Sequence, residues 1–259
     1  MVHYRLAVLG DPVDHSRSPV LHTAMLQLAG LEGEYLKVRA DTATLRRAVD
    51  GLRDGEWHGL NITMPLKADA ARLVDSLSPT AADSGSVNTL VHSDAGVIGH
   101  STDCSAFEEL FASERFRDVD SVLVLGAGGS TAAALSAIPA DKTVYVSARR
   151  LASAEETAAR LGASVIPWPA AVPGALLINA TPLGMSGEVL PDGLLAVASG
   201  LIDLPYGSKP TPAVAEARSS GMAVADGHEF LLRQAMHSFR LWTGAEIDFA
   251  SLSHAVRNV

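Results

Sequence analysis

Short apolar runs and segments of helical period alternate along almost the whole chain. Tyr4 to Leu9, Glu34 to Val38 and His58 to Thr63 read as strands. Ser18-Pro19 opens a helix that closes at Gly30, with Ser18 as N-cap and Pro19 at the first helical position. Thr42 to Gly51 and Pro65 to about Leu77 read as two further helices, and Val87 to His92 with Gly96 to Ile98 as a hairpin around Ser93-Asp94-Ala95-Gly96. A helix from Asp103 to Ala112 then leads into a charged loop ending at Asp120, and five strands follow at 121–125, 143–147, 175–179, 200–204 and 222–225. Pro139 cuts short the helix after the first of these, and the Pro-rich stretch 167–174 is a loop. Last comes a strong helix from His228 to Gly244, carrying Phe230, Leu231, Leu232, Ala235, Met236, Phe239 and Trp242. Such alternation predicts α/β architecture with parallel sheets.

Length changes this picture by splitting it. At 259 residues a single core is near its practical limit. The expected division is residues 1–104 plus 228–259 as one α/β domain and 105–227 as a second, with the last long helix returning to the first. Hydrophobic content of 47% against 19% charged supplies enough apolar surface for packed cores. Aromatic residues are only 5%, so Ala, Val and Leu must build them.

The formal net charge of −9 argues against nucleic acid as a partner, since phosphate backbones require a basic face. It also opposes any anionic ligand at long range, which makes local positive groups informative. The lone cysteine, Cys104, cannot form an internal disulfide, and no Cys cluster or His-x-x-x-His spacing suggests a metal. No leader pattern precedes the first strand and no apolar run approaches ~18 residues, so a cytoplasmic protein that avoids membranes is expected.

The chemistry concentrates in a few places. Val122-Leu123-Val124-Leu125 runs into Gly126-Ala127-Gly128-Gly129-Ser130 and then into an alanine-rich helix. That is how backbone N–H groups and a positive helix end are brought to a pyrophosphate. The end of the next strand discriminates between nucleotides. NAD sites place an acidic side chain there for ribose hydroxyls, whereas this chain has Ser147-Ala148-Arg149-Arg150. Arginine suits a 2′-phosphate, so NADP is favoured.

A second set of polar residues lies upstream. Lys67 falls in the first turn of its helix, where a cation faces the positive helix end, a placement that sequences avoid without a reason; taken alone, a surface lysine is still the simpler reading. Asp103, in Thr102-Asp103, reads equally as a helix N-cap or a functional carboxylate. Asn88 sits in a β-branched strand, where an amide must bond something. Ser16 and Ser18 offer two hydroxyls at a helix N-terminus, which suits a carboxylate. Gln234 is polar among Leu231, Leu232, Ala235 and Met236.

These segments together resemble the shikimate dehydrogenase family over nearly the whole chain. The resemblance rests on Gly10-Asp11-Pro12-Val13-Asp14-His15-Ser16-Arg17-Ser18-Pro19 with His22, on Asn61-Ile62-Thr63-Met64-Pro65-Leu66-Lys67, and on Val87-Asn88-Thr89 and Thr102-Asp103. Gly126-Ala127-Gly128-Gly129, the run Asn179-Ala180-Thr181-Pro182-Leu183-Gly184-Met185, and Gln234-Ala235 with Phe239 and Trp242-Thr243-Gly244 complete it.

The resemblance implies an N-terminal substrate domain and a Rossmann-type, doubly wound NADP-binding domain. It implies reversible NADPH-dependent reduction of 3-dehydroshikimate in aromatic amino acid biosynthesis. Lys67 and Asp103 become the proton-transfer pair. Ser16 and Ser18 bind the substrate carboxylate, and Thr63, Asn88 and Gln234 hold ring hydroxyls with Tyr206 nearby. Gly126, Ala127, Gly128, Gly129 and Ser130 cradle the pyrophosphate, Arg149 and Arg150 take the 2′-phosphate, and Thr181, Met185 and Gly227 complete the NADP(H) site. No metal is implied, and the chain is expected as monomer or homodimer. Three positions depart from the family pattern: Ser101 for its usual Asn, Ala148-Arg149-Arg150 for its Asn-Arg-Thr, and Tyr206-Gly207-Ser208 for its Tyr-x-Pro. Quinate or aminoshikimate dehydrogenases on the same scaffold, a non-catalytic NADP-sensing module, and a methyltransferase are the competing readings, the last disfavoured by the two arginines.

Overall fold

A computed structural model describes residues 2–257. The chain divides into two compact units, one formed by the segment up to Ser105 together with that from Leu232 onward, the other by Ala106–Leu231.

In the first unit β1 (His3–Gly10), α1 (Ser18–Leu28), β2 (Glu32–Arg39), α2 (Thr42–Arg53), β3 (Gly59–Ile62), α3 (Lys67–Leu73), β4 (Ser76–Leu77), α4 (Pro79–Ser84), β5 (Thr89–Ser93), β6 (Gly96–His100) and α5 (Thr102–Ala112) follow one another. The sheet order is β2-β1-β3-β5-β6-β4. β1 pairs in parallel with β2 and β3, and β5 runs antiparallel to both β3 and β6. One face of the sheet buries Leu9, Leu60, Ile62 and Leu90 against Leu45, Val49 and Leu52 of α2. α2 has a side-chain cap: Asp41 accepts the Thr44 N–H at 2.8 Å.

Four local expectations are corrected by the structure. Arg17, not Ser18, occupies the N-cap of α1, without a side-chain cap bond, and Ser18 is already helical. α3 begins at Lys67 rather than Pro65, because the Leu66 N–H closes a turn on the Thr63 carbonyl at 2.9 Å while the Leu66 side chain is buried in the core. α3 also ends at Leu73, not Leu77. Val74 turns extended, the Asp75 N–H and carboxylate bond Val97, and Ser76–Leu77 joins the free side of β6. Ladder pairing at a sheet edge outweighs another helical turn. Asn88 lies one residue before β5 rather than inside a strand.

The second unit holds β7 (Ser121–Leu125), α6 (Gly129–Ala137), β8 (Thr143–Ser147), α7 (Leu151–Leu161), β9 (Ser164–Val165), β10 (Leu176–Asn179), β11 (Gly200–Asp203), α8 (Pro212–Ser219) and β12 (Ala223–Ala225). All pair in parallel, in the order β12-β11-β10-β7-β8-β9. The chain winds outward from β7 to one edge, then from β10 to the other, so this is a doubly wound sheet with its switch point between β7 and β10. Leu125, Ser147, Asn179 and Asp203 stand in one register row at the carboxyl ends of four strands. That end is where open α/β sheets present ligand sites. The helix α9 (Gly227–Thr243) carries the chain back into the first unit, where α10 (Phe249–Ala255), capped by Asp248, follows.

Candidate active site

In the first unit, the carboxyl end of β3 leads through Thr63 to Lys67 at the very start of α3. Asp103 sits in the first turn of α5 and does not cap it. Its carboxylate faces sideways: Oδ2 accepts from the Lys67 ammonium and Oδ1 from the Asn88 amide at 2.9 Å. The pair is mostly removed from solvent, with side-chain exposures of 17% for Lys67 and 7% for Asp103. Such a contact holds both groups in place, and one-sided removal would leave the remaining partner mostly buried without its counterpart.

The amide of Asn88 is itself oriented without ambiguity. The Thr102 N–H, which can only donate, points at Asn88 Oδ1 at 2.7 Å. The oxygen must therefore face Thr102 and the nitrogen must face Asp103. One amide hydrogen of Asn88 is committed to Asp103. Behind this pair lies a buried cluster of hydroxyls and one more amide. Asn61 Nδ2 reaches the Asn88 carbonyl, Thr89 Oγ1 and Ser238 Oγ at 3.0–3.1 Å, while Asn61 Oδ1 accepts from Tyr35 at 2.7 Å. Ser238 Oγ, from α9, lies 2.8 Å from Thr89 and 3.1 Å from Thr102. Every link joins a different element, so β2, β3, β5, α5 and α9 together set the position of one carboxylate.

The other upstream residues are placed as follows. Ser16 and Ser18 hydroxyls lie 3.2 Å apart, and the Ser18 N–H also donates to Ser16 at 3.3 Å. Thr63 packs against Gly10 at the end of β1, so close that a Cβ on that glycine would overlap its methyl. Gln234 is nearly buried on α9, one turn before Ser238, which donates to its carbonyl. Tyr206 belongs to the second unit, tilted against His228.

In the second unit, Gly126 follows β7 with φ +117°, and a Cβ there would press on the Ala180 carbonyl at 3.0 Å. Only glycine suits that position. Gly128 caps α6 without a side chain, so the first-turn N–H groups of Gly129, Ser130 and Thr131 face an open, uncapped end. The buried Thr131 hydroxyl beside Gly126 has no hydrogen-bond partner among the described residues. Donor-rich backbone, room for close approach and an orphaned hydroxyl fit a pyrophosphate. Arg149 and Arg150 are exposed just beyond β8, with Arg150 at the N-cap of α7. Thr181 folds back on Asn179, giving its N–H at 3.1 Å and its hydroxyl at 2.6 Å to Oδ1, and Met185 is half exposed on the same loop. Gly227 starts α9 with the carbonyls of Leu204 and Pro205 against its Cα.

Residues 8–90 match the family model of the shikimate dehydrogenase substrate binding domain. The chain is 36% identical to a shikimate dehydrogenase (NADP(+)) of an Anaeromyxobacter species, covering 96% of this chain and 94% of that one. The chain belongs to the shikimate dehydrogenase family. A relative from Methylobacterium radiotolerans with the same name is 37% identical over 93% and 91% of the two chains. A crystal structure of the Thermus thermophilus shikimate 5-dehydrogenase in complex with NADP(H) and shikimate superposes with a TM-score of 0.87 at 34% identity, covering 98% of each chain.

Two departures from the family pattern find a physical account. The Ser101 hydroxyl is hydrogen-bonded not to Asp103 but to the Cys104 thiol, from which it accepts at 3.2 Å, both residues being buried. The orientation of Asp103 comes instead from Asn88 and Lys67. In the Tyr206-Gly207-Ser208 segment, the Gly207 carbonyl is held by His228 Nε2 at 2.9 Å, which anchors the loop where the family's proline is missing.

Sequence reasoning quoted Asn61, Thr89 and Thr102 within motifs without giving them a role, and passed over Ser238. For Asn61 the signal was present. The argument that an amide in an apolar β-branched run must bond something applies to Asn61-Ile62 more strongly than to Asn88, since Asn61 is truly inside a strand. Ser238 stands alone in an otherwise apolar stretch of α9 and gives no pattern by itself.

Proposed function

We propose that this chain is a shikimate dehydrogenase that reversibly reduces 3-dehydroshikimate with NADPH, with Lys67 and Asp103 as its proton-handling pair. The buried Lys67–Asp103 contact, braced by an Asn88 amide that can face only one way, carries the reading. NADP(H), when bound, supplies or accepts the hydride at the substrate's carbonyl carbon.

The protein's part is alignment and charge. As the keto group is reduced, negative charge grows on its oxygen. Lys67 offers that oxygen a charge-assisted hydrogen bond and a proton, and does so without reorganising, because Asp103 already holds it. Asp103, with one oxygen on Lys67 and the other on Asn88, keeps lone pairs for the substrate hydroxyl. Lys67 and Asp103 share a direct hydrogen bond, so the proton is handled by the pair rather than by one assigned member. Ser16 and Ser18 receive the substrate carboxylate, and Thr63, Gln234 and the remaining Asn88 N–H receive ring hydroxyls, with Tyr206 as a further contact. Because recognition uses hydroxyls and amides, a substrate lacking one ring hydroxyl leaves buried groups unpaired and is rejected strongly.

Gly126, Ala127, Gly128, Gly129 and Ser130 cradle the pyrophosphate, with Thr131 as an additional donor. Arg149 and Arg150 select the 2′-phosphate, while Thr181, Met185 and Gly227 line the nicotinamide side. The enzyme works in the cytoplasm as a monomer or homodimer. A spectrophotometric assay of shikimate oxidation, run with NADP, then NAD, then with quinate in place of shikimate, tests the reading. Turnover of shikimate with a kcat/KM clearly higher for NADP is expected; no turnover, or a preference for NAD or quinate, overturns it.

A further inference from the structure

Asp203 closes β11 and is fully buried. Its two oxygens face only donors: the Asn179 amide at 2.7 Å on Oδ1, and the Thr211 hydroxyl on Oδ2. Burial pushes its pKa up, the two donated bonds oppose that rise, and repulsion from Asp226 adds to it. No Lys or Arg among the described residues forms an ion pair with it within 4 Å. A buried carboxylate without a cation is costly, so its hydrogen bonds must accomplish something specific.

They fix an amide. With Nδ2 drawn to Asp203 and to the Leu183 carbonyl at 3.0 Å, Asn179 must turn Oδ1 outward, where it takes both the N–H and the hydroxyl of Thr181. Thr181 Oγ1 then accepts the Leu183 N–H at 3.2 Å. On the other side, Thr211 uses its proton on Asp203 and accepts the Val214 N–H at 3.1 Å, capping α8. Thr211 also lies under Gly184, where a Cβ would meet its side chain at 3.0 Å and φ is +108°. One carboxylate thus fastens the loop 180–187 and the loop 204–211 to each other at the carboxyl edge of the sheet.

We propose that Asp203 is a positioning residue for the nicotinamide end of the cofactor, acting through Asn179 on Thr181 and the Met185 loop. The inference rests on the reading of this unit as the NADP(H) site. It differs from a general structural role in what it spares: no hydrogen bond of this chain reaches Gly128–Ser130 or Arg149–Arg150, which hold the adenosine end on that reading.

The test compares two probes on the same purified full-length protein. NADPH reaches both ends of the site; adenosine 2′,5′-bisphosphate reaches only the adenosine end. Asp203→Ala is expected to weaken NADPH at least about tenfold, the scale of one lost buried hydrogen-bond network link, and to leave the bisphosphate within about twofold. Asp203→Asn, which can accept from Asn179 and donate to Thr211, is expected to restore NADPH binding. If Asp203→Ala does not accumulate folded, Asn179→Ala cuts the same chain one link on, leaves the carboxylate bonded to Thr211, and carries the same expectation. Equal weakening of both probes, or no weakening of NADPH, overturns the inference. A wild-type chain that binds neither probe overturns the cofactor reading itself, and the inference with it.

Discussion

At the scale of single residues, the Lys67–Asp103 pair makes the sharpest demand. Asp103 has no backbone capping bond to fall back on, and its two oxygens are divided between an ammonium and an amide. Lys67→Ala is expected to lower kcat for shikimate oxidation by a factor on the order of 10²–10⁴, the usual weight of one acid–base group, with the folded state retained. Asp103→Asn should fall in the same range, because the amide can no longer accept from both Lys67 and Asn88 without a donor facing a donor. An unchanged kcat in the lysine variant would remove Lys67 from the chemistry. Ser101 supplies the contrast. Its hydroxyl serves Cys104 and not Asp103, so Ser101→Ala should leave kcat within about twofold. A drop comparable to that of Asp103→Asn would show that the departure from the family's Asn does reach the carboxylate. Lys67 stands out in the sequence because a cation at a helix start is locally unfavourable, but by itself it reads more simply as a surface lysine, and Asp103 reads equally as a cap; only the family resemblance joins them as a pair. The cluster behind them was not legible. Hydroxyls such as Thr89 and Ser238 are commonplace in sequence and acquire meaning only when β5 and α9, 149 positions apart, bring them to 2.8 Å.

At the scale of elements, α1, β2 and α9 meet over a histidine. His22 of α1 is fully buried, stacked flat on Tyr35 of β2 with ring centroids 4.3 Å apart, and tilted against Phe239 and Trp242 of α9. Among the described residues neither ring nitrogen lies within hydrogen-bond geometry of a partner, although the Asn61 side chain is close enough to act on the ring. Burial lowers its pKa from the ordinary 6.5 to about 3, only partly opposed by Asn61. The folded protein therefore keeps His22 neutral where the unfolded chain would protonate it. Its contribution to stability is intact above about pH 6.5 and drains away as pH falls through the window down to about 3. Going from neutral pH to about pH 5.5 costs on the order of 1.4 kcal/mol from this group alone. His22→Phe, which keeps the aromatic stack, should lose less stability over that interval by about that amount, measured as urea midpoints at the two pH values. Parallel loss in both proteins would refute the assignment. Element types and order were legible because apolar runs and Gly/Pro punctuation repeat so regularly. What escaped were the pieces decided by neighbours. The two-residue strands β4 and β9 exist only by pairing with β6 and β8, and α4 and α10 are six and seven residues long, too short for a periodic signal. Both nevertheless carry cap residues, Ser78 and Asp248, that the sequence displayed.

At the scale of the whole molecule, a net charge of −9 must be reconciled with an anionic substrate and a still more anionic cofactor. The long-range field repels both, so attraction has to be local. On the proposed reading of the second unit it comes from the uncapped N–H groups at α6, whose partial charges are fixed, and from the exposed Arg149 and Arg150. Salt separates these contributions. The Debye length is about 10 Å at 0.1 M and about 3 Å at 1 M. Added salt therefore erases the diffuse repulsion and, with it, much of the advantage of two solvent-exposed arginines, while hydrogen bonds to the α6 backbone persist. Arg149→Ala alone is expected to raise the KM for NADP with little effect on kcat, since the 2′-phosphate is remote from the reacting carbon. The double variant Arg149→Ala with Arg150→Ala feels only the repulsive field, so its KM for NADP should fall as salt is added. The ratio of variant to wild-type KM must then narrow between low salt and about 0.5 M. Initial rates at saturating shikimate give that ratio directly. A ratio that stays constant would mean that the arginines act by shape or by buried contacts rather than by exposed charge, and the 2′-phosphate assignment would have to move elsewhere on the carboxyl edge of the sheet.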